Sequence, residues 1–408
     1  MSGRVVRTQC CIAGGGPAGM MAGYMLARAG IEVLVLEKHG DFLRDFRGDT
    51  VHPSTLQALA ELGLLERFLQ RPHTKIEQLC GRIGNETFKL VDFRHLPTRA
   101  RFVAIMPQWE FLNFLAEEGA KLEKFGLMMK ADVTGLVEDA GRVSGVAATT
   151  PDGALTIEAD LVIAADGRRS ILRERADLTV RDLGAPIDVL WMRLPRRPGD
   201  VNAPLGNIGA GAVFVMIERE DYYQCAFVVP KGGYDAVRAE GLEALKRRIV
   251  AVAPMTADRL DALASWDDIK LLSVSVDRLE RWWKPGLLCI GDAAHAMSPI
   301  GGVGINMAIG DAVAAANILA APLAAGQPGD EALARVQARR LGPVRAMQAL
   351  QVLVQNRVLG PLLRSGAAPR PPLLVRLVDK VAWLRRIPAR VVGLGFRLEH
   401  VRIPGLGG

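Results

Sequence analysis

Residues 8–37, TQCCIAGGGPAGMMAGYMLARAGIEVLVLE, decide the fold. The apolar run from Thr8 to Ala13 predicts a buried strand, a glycine-rich turn follows at once, and an apolar helix runs from about Met20 to Arg28. A second apolar run, Ile31 to Leu36, ends in Glu37. Strand, turn, helix and strand within about 30 residues form the unit that dinucleotide binding requires.

The turn GGGPAG places glycines where a bound pyrophosphate needs them. Gly14 permits the tight turn, Gly16 lets backbone approach the phosphates, and Gly19 allows close packing of helix on strand. Pro17 and Ala18 open the helix, whose free N–H groups and positive dipole end favour phosphate oxygens. These five residues are predicted to contact the cofactor.

Acidic and basic residues follow at the end of the second strand. Glu37 lies 23 residues after Gly14, where a carboxylate can accept hydrogen bonds from the ribose hydroxyls of an adenosine. Lys38 follows it and is predicted to lie at the same cofactor contact. This motif alone does not separate FAD from NAD.

Composition limits the function classes. The 408 residues are half apolar, and the net charge of +7 comes from the end of the chain. Residues 341–408 hold 11 Lys/Arg against 2 Asp/Glu, which leaves 40 basic and 42 acidic residues before them. The five cysteines form no CxxC pair, so we expect no zinc or other metal site and a reducing compartment. We also expect neither a signal peptide nor a spanning helix, and hence a cytoplasmic protein.

Two later stretches carry a resemblance. GLLCIGDAAHAMSPIGGVGINMAIGDA (286–312) resembles the ribityl-binding signature of class A flavoprotein monooxygenases, the para-hydroxybenzoate hydroxylase type, and ADLVIAADGRRSILR (159–173) resembles their Asp-Gly motif. With the glycine turn, the three motifs stand in the family's order over roughly residues 9–319. The resemblance implies an α/β fold: a Rossmann-type FAD-binding domain of three layers (ββα), an inserted mixed β-sheet substrate domain and a C-terminal helical tail.

The resemblance also implies cofactor contacts beyond the first turn. Asp292 would bond a ribityl hydroxyl, with a helix N-cap as its alternative role, while His295 is expected to be structural. A glycine loop would lie against the isoalloxazine edge, and the helix after it would direct its positive end at the reduced flavin. The residues expected to contribute there are Pro299, Gly302, Gly304 and Ile305.

Four further residues are assigned to the cofactor by resemblance. Arg47 would face the pyrophosphate or the incoming nicotinamide, Gln108 the flavin chain, and Val133 the adenine. Asp166 belongs to the Asp-Gly motif, although a structural pair with Arg173 is an open alternative.

The implied reaction is oxygen transfer from flavin to an organic substrate. NADH or NADPH would reduce FAD transiently, and a flavin C4a-hydroperoxide would hydroxylate or epoxidise a hydrophobic, aromatic small molecule. No side chain is named as catalytic. A reductase or dehydrogenase of an unsaturated lipid and a non-catalytic flavin-binding module are the alternatives. The halogenase pattern WxWxI is not matched by Trp266 or by Trp282-Trp283.

The predicted domains follow from the change in texture along the chain. Residues 1–72, 98–177 and 277–340 are assigned to the FAD-binding domain, 73–97 and 178–276 to the substrate domain, and 341–408 to the basic tail. The pocket is expected to be lined by alternating residues of the inserted strands, namely Trp191, Arg193, Phe214, Met216, Gln224 and Ala226.

The basic tail allows several interpretations. Met347, Leu350, Val354 and Val358 are predicted to form the apolar stripe of a helix that ends at Gly360-Pro361. Such a helix could cover the domain, pair with a second subunit in a homodimer, or rest on a membrane surface. Because aromatic residues do not interleave with the basic ones, nucleic acid is not expected as a partner.

Overall fold

The computed structural model describes residues 4–43, 50–197, 199–200, 205–209, 211–219, 221–365 and 370–404. The strands of these residues are β1 Arg4–Ala13, β2 Val33–Glu37, β3 Thr50–Val51, β4 Thr74–Ile76, β5 Gln78–Ile83, β6 Glu86–Asp92, β7 Val103–Ile105, β8 Phe125–Met129, β9 Asp132–Asp139, β10 Arg142–Thr150, β11 Gly153–Ala164, β12 Val180–Asp182, β13 Ile187–Pro195, β14 Gly206–Gly209, β15 Ala212–Glu218, β16 Tyr222–Pro230, β17 Lys270–Leu272, β18 Asp277–Leu279, β19 Trp283–Lys284, β20 Leu287–Cys289 and β21 His295–Ala296. The α-helices are α1 Pro17–Arg28, α2 Pro53–Glu61, α3 Leu65–Phe68, α4 Gln108–Gly119, α5 Ile171–Arg175, α6 Tyr234–Glu240, α7 Leu242–Val252, α8 Gly304–Ala324, α9 Asp330–Val354, α10 Gly360–Arg364, α11 Leu373–Lys380 and α12 Arg386–Leu394.

The largest sheet has the strand order β19-β20-β11-β1-β2-β8. Its central strand β1 runs parallel to both β2 and β11, and residues 10–13 of β1 are completely buried. Helix α1 is apolar on all sides because it lies between this sheet and helices α4 and α8. On the other side, β9 and β10 form with β11 an antiparallel meander. Sheet, meander and helices make the three predicted layers, so the fold class is confirmed.

A second, seven-stranded sheet has the order β17-β13-β16-β15-β14-β5-β6. Strands β5 and β6 therefore join strands that follow them by roughly a hundred residues of sequence. One face of this sheet packs on helix α7, which buries Leu245, Ile249 and Val252. The opposite face meets residues of the nucleotide-binding part of the chain, as described below.

The helical segment after the nucleotide unit is interrupted. Leucines at helical spacing predict one helix over residues 53–69, whereas the structure has α2 and α3 separated at Gly63, whose φ is +71°. Glycine adopts this left-handed conformation readily and ends the first helix there.

The tail corrects two predictions. The helix does not end at Gly360-Pro361: a π-helical turn, Gln355–Leu359, carries it into α10. Proline lacks an N–H and crowds the carbonyl four residues before it, and the wider π-turn accommodates both. The apolar stripe was also wrong at its far end, because Val358 is 49% exposed. Only Met347 of the predicted stripe is buried, and the residues buried beyond it on that face are glutamines.

The rest of the tail packs back on the body. Helices α11 and α12 lie against β6, and the extended chain after α12 returns to α8, where Asn317 bonds the backbone at His400 and Arg402. Residues Ile300–Ala324 are long and apolar enough to cross a membrane by length and composition. Two-thirds of their most apolar window is buried inside the protein, as in a core helix.

Candidate functional site

The glycine turn between β1 and α1 is held by close backbone contacts. Gly14 has a φ of +109°, and a Cβ there would lie 2.3 Å from the carbonyl oxygen of Ala165. A Cβ on Gly19 would lie 2.0 Å from the carbonyl oxygen of Gly14. At Gly16, by contrast, a Cβ would meet no described atom within 4 Å. Two glycines therefore serve packing, and the third faces open space into which a ligand can fit.

The first turn of α1 presents free donors to that space. Gly16 precedes the helix, Pro17 is its first residue, and the described structure shows no side chain capping it. The turn contains no acidic residue. The N–H groups and the positive end of the helix dipole are thus available to an anion. The later motif packs directly on this turn, since a Cβ on Gly291 would lie 3.0 Å from that of Ala18.

Glu37 is fixed at the end of β2. Its Oε2 accepts the N–H of Gly15 at 3.0 Å, and its Oε1 accepts the N–H of His39 at 3.0 Å. The backbone carbonyl of Glu37 accepts the N–H of Ala131 at 2.9 Å, which brings buried Val133 to the same edge of the sheet. Lys38 is exposed. A carboxylate with fixed orientation and a buried aliphatic side chain suit a ribose and an adenine.

The Asp-Gly motif supplies a partner for Asp292 that was not predicted from the sequence. Arg168 donates from Nε to Oδ2 of Asp292 at 3.1 Å and from Nη2 to the carbonyl of Met297 at 3.3 Å. Its Nη1 is buried without a hydrogen-bond partner among the described residues. The two adjacent arginines of the motif were its only signal, and sequence alone does not show which of them turns inward.

Asp166 and Arg173 do not pair in the described structure. Asp166 accepts from the N–H of Leu172 at 3.4 Å, and burial raises the pKa of its carboxyl group. Its Oδ1 has no partner among the described residues. Arg173 instead donates to the carbonyls of Arg168 and Ala293. The alternative of an Asp166–Arg173 pair was therefore wrong, and Asp166 keeps a free buried acceptor.

The loop before α8 is irregular backbone built on glycines. Gly302 has a φ of +62°, and its carbonyl accepts the hydroxyl of Thr50 at 2.9 Å. Pro299 precedes the short turn, and Gly304 opens α8, with no described atom within 4 Å of a Cβ built there. No side chain of the described residues caps α8, and Ile305 in its first turn is buried. The helix thus offers free N–H donors beside open space.

His295 belongs to a buried ion network. Its Nε2 lies 2.6 Å from Oδ2 of Asp311, which also accepts the N–H of Gly291 at 3.0 Å. Oδ1 of Asp311 accepts from Nε of Arg340 at 2.8 Å. Burial would raise the pKa of Asp311, but His295 and Arg340 hold it below its usual value. These contacts support the expected structural role of His295.

Two other predicted cofactor residues have different outcomes. Gln108 is half-buried as the first residue of α4, just after β7, which pairs with the strand containing Thr50. Gln108 therefore follows a strand whose partner strand contains Thr50, and Thr50 is hydrogen-bonded to the glycine loop. Arg47 lies outside the described residues.

The predicted pocket residues divide between two faces of the second sheet. Trp191 and Ala226 are paired across β13 and β16, and both belong to the cluster that contains Ile300 of the glycine loop. Phe214 and Met216 lie on the opposite face, in the core under α7. Their prediction as pocket residues was wrong, because a shift of one residue along a strand reverses the face.

The positions of β15 on the face that packs with Ile300 are Val213 and Val215. Two polar residues of the predicted pocket have partners within their own sheet. The buried Gln224 accepts from Nη2 of Arg219 at 3.1 Å. Arg193 is exposed and lies over the ring of Tyr222, 4.9 Å from its centroid.

The fold and the three motifs define a Rossmann-type dinucleotide-binding protein with an inserted sheet. The model of the family described as FAD binding domain matches residues 7–351, and the chain belongs to that family. The site fits FAD. Open space adjoins Gly16 and Gly304, and two buried polar atoms, Nη1 of Arg168 and Oδ1 of Asp166, have no hydrogen-bond partner among the described residues.

Known relatives narrow the class further. The chain is 33% identical over 386 residues to 6-methylpretetramide 4-monooxygenase of Streptomyces rimosus, covering 94% of this chain and 92% of that protein. The structure of p-nitrophenol 4-monooxygenase from Pseudomonas putida matches with a TM-score of 0.79 at 19% identity, over 97% of this chain and 100% of that one. Anhydrotetracycline hydroxylase from Streptomyces rimosus matches with a TM-score of 0.74 at 23% identity, over 95% of this chain and 76% of that one. These two structural likenesses concern the fold alone.

The chain is therefore an FAD-dependent monooxygenase, an oxidoreductase with NAD(P)H as its reductant. The resemblance to class A flavoprotein hydroxylases is confirmed. The reductase of an unsaturated lipid is the weaker alternative, because the relative named above, at 33% identity, is a monooxygenase.

Proposed function

We propose that the chain hydroxylates or epoxidises a hydrophobic aromatic small molecule. The observation that carries this proposal is the apolar face of the second sheet, which meets the glycine loop before α8. Val213, Val215, Ala226 and Val228 pack there in one cluster with Ile300. An apolar wall beside the proposed flavin ring favours a ring-shaped, poorly hydrated substrate over a charged metabolite.

The FAD-contacting residues that we propose follow from the geometry. The start of α1 holds the pyrophosphate, Glu37 the ribose, and Val133 the adenine. Asp292 and Arg168 contact the ribityl chain or the phosphates, with the free Nη1 of Arg168 as the donor.

The proposed chemistry divides between cofactor and protein. Bound FAD supplies electron transfer and oxygen activation. The protein orients the substrate and excludes water. The free N–H groups and positive end of α8 stabilise negative charge near the glycine loop.

The decisive experiment follows NAD(P)H oxidation by the purified yellow protein together with O2 uptake and peroxide release. The panel contains phenols, quinolones and aromatic polyketides, with 6-methylpretetramide and anhydrotetracycline among them. We expect one compound to accelerate NAD(P)H oxidation and to gain one atom of ¹⁸O from ¹⁸O2. Compound-dependent oxidation without oxygen incorporation would favour a reductase, and a flavin that NAD(P)H cannot reduce would favour a non-catalytic module.

We propose, second, a cytoplasmic protein whose tail contacts an anionic membrane surface. Large apolar residues of the tail are exposed: Leu373 (85%), Leu374 (69%), Leu377 (50%), Trp383 (59%) and Ile387 (53%). Basic residues are interspersed with them, namely Arg370, Arg376, Lys380, Arg386 and Arg390. Apolar residues enter the headgroup boundary while basic ones attract anionic lipid, at about 1 kcal/mol per basic residue.

Vesicle sedimentation tests the second proposal. We expect the protein to sediment with vesicles containing phosphatidylglycerol and not with phosphatidylcholine alone. The double variant Leu373→Ser/Leu374→Ser should lose this binding, whereas Leu271→Ser, at a position 44% exposed on β17, should keep it. If the wild type does not bind vesicles and elutes as a dimer, while the double variant elutes as a monomer, the exposed apolar residues form a homodimer interface instead.

A further inference from the structure

Three buried glutamines follow one another on the inner face of the last long helix. Gln348, Gln351 and Gln355 are spaced three and four residues apart and are 0%, 2% and 0% exposed. This spacing places them in one row along the helix. We call them the glutamine row. Glutamine is seldom fully buried, and a buried amide must be hydrogen-bonded to persist.

The middle glutamine grips the backbone before the glycine loop. Oε1 of Gln351 accepts the N–H of Ser298 at 3.1 Å. Its Nε2 donates to the carbonyl of Ser298 at 3.0 Å and to that of Ile300 at 2.9 Å. One side chain therefore binds three backbone groups within three residues.

Its neighbours extend the same grip in both directions. Nε2 of Gln348 donates to the carbonyl of Ala296 at 3.0 Å and to that of Asp277 at 2.7 Å. Nε2 of Gln355 donates to the hydroxyl of Ser298 at 2.6 Å. The row thus follows the segment from residue 296 to residue 300.

That segment links the two parts of the proposed flavin contact. It begins just after the Asp292 turn and ends in the glycine loop before α8. Beyond the two residues of β21 it has no strand pairing of its own, yet Ser298 is 1% exposed. Buried irregular backbone is stable only if other groups satisfy its donors and acceptors.

We propose that Gln351 and Gln355 are positioning residues that fix the glycine loop against the flavin ring from behind. This inference rests on the flavin placement proposed above and not on the identity of the substrate. The amide suits the task because it offers a donor and an acceptor without a charge. A carboxylate at position 351 would turn an acceptor toward the carbonyls of Ser298 and Ile300.

The chain contains a matched control. Gln337, earlier on the same helix, accepts the N–H of Trp282 at 3.1 Å and donates to the carbonyl of Glu280 at 2.8 Å. It makes the same kind of backbone contact, from a half-buried position and to a segment away from the loop. Gln337→Leu therefore reports the structural cost of losing such a contact.

The test compares Gln351→Leu with Gln337→Leu in the full-length holoenzyme. The measurements are thermal stability, the FAD dissociation constant, the visible flavin spectrum and the flavin midpoint potential. Both variants should melt earlier than the wild type. Only Gln351→Leu should raise the FAD dissociation constant, by about tenfold, and shift the spectrum and potential. If the two variants have the same flavin properties, the proposal is wrong.

Two further variants keep the test decisive if Gln351→Leu does not fold. Gln355→Met removes one hydrogen bond and should shift the flavin spectrum in the same direction, by less. Gln351→Glu should bind FAD weakly at pH 8 and recover at pH 5.5, because a protonated carboxyl again offers a donor and an acceptor. An unchanged spectrum in Gln355→Met and the absence of recovery in Gln351→Glu would together overturn the proposal. If these shifts occur but no compound is oxygenated, the proposed substrate class fails and the positioning role stands.

Discussion

The glycine turn and the glutamine row both hold backbone at the proposed flavin site, but by opposite means. Gly14 and Gly19 act by lacking side chains, and the glycines themselves stand within six positions of the sequence, although the backbone that Gly14 approaches is that of Ala165. Gln351 acts through its side chain, on backbone 53 residues earlier in the chain. The comparison teaches that a steric requirement forms a local motif, whereas a polar clamp is visible only when the chain has folded.

The largest effect expected is at the turn. Gly14→Ala should cost about 5 kcal/mol or more of unfolding free energy, since its Cβ would clash with backbone at a φ of +109°. Gly16→Ala should leave the stability of the apoprotein within about 0.5 kcal/mol and weaken FAD binding at least about tenfold. Denaturant unfolding and FAD titration measure the two effects. Equal loss of stability in both variants would contradict the division of roles among the glycines.

The next largest effect is expected where α8 and α9 meet the Asp292 turn. Asp311→Ala should cost about 3–5 kcal/mol, because it removes the carboxylate that buried Arg340 and His295 share and leaves Arg340 with the longer contact to Glu399. Glu138→Ala, which breaks the more exposed pair with Lys284, should cost about 1 kcal/mol or less. Urea unfolding of the two variants measures the difference. Similar losses would mean that the buried network is no more important than a surface pair.

A pH-dependent effect is expected at His52, which lies between the loop and the tail. Its Nδ1 lies 2.8 Å from the carbonyl of Val392, and burial lowers the pKa of His52 to about 4. The unfolded chain, with a pKa near 6.5, then binds the proton more readily than the folded one. The stabilisation of the folded state that comes from neutral His52 is complete above about pH 6.5. It is lost as the pH falls toward 4, by at most about 3 kcal/mol. The unfolding free energy measured between pH 4 and 7 should show this pH dependence in the wild type and should lack it in His52→Gln. An identical slope in both proteins would place the titration elsewhere.

Prediction from the sequence was most accurate for features that depend on local steric requirements and on the spacing of apolar residues. The β1-turn-α1-β2 unit follows from glycines and apolar runs, and the structure confirms it. The FAD requirement was implied by the resemblance to class A flavoprotein monooxygenases, and the family confirms it. The face of β15 was wrong because Phe214 and Met216 are as apolar as Val213 and Val215. Apolar alternation alone does not say which core each face joins.

The tail was predicted least well, for a physical reason. An apolar stripe was expected, yet the buried face beyond Met347 carries glutamines whose partners lie near residues 277 and 296–300. Glutamine on a helix predicts exposure unless the partner is known. Arg168 was missed similarly, because only the fold brings it to Asp292.

The smallest effect, at Glu37, tests whether side chains matter within the glycine region itself. Both carboxylate oxygens accept backbone N–H groups, at Gly15 and His39, so Glu37→Gln keeps one acceptor and turns an NH2 group toward the other donor. We expect FAD to bind about fivefold to twentyfold more weakly, or about 1–2 kcal/mol. Lys38→Gln, at an exposed neighbour, should bind FAD nearly as the wild type does. Equal weakening in both would mean that charge near the ribose decides affinity. Weakening in Glu37→Gln alone would mean that the glycine turn also depends on a side chain that is hydrogen-bonded to backbone. The glutamine row provides contacts of the same kind near the other end of the chain.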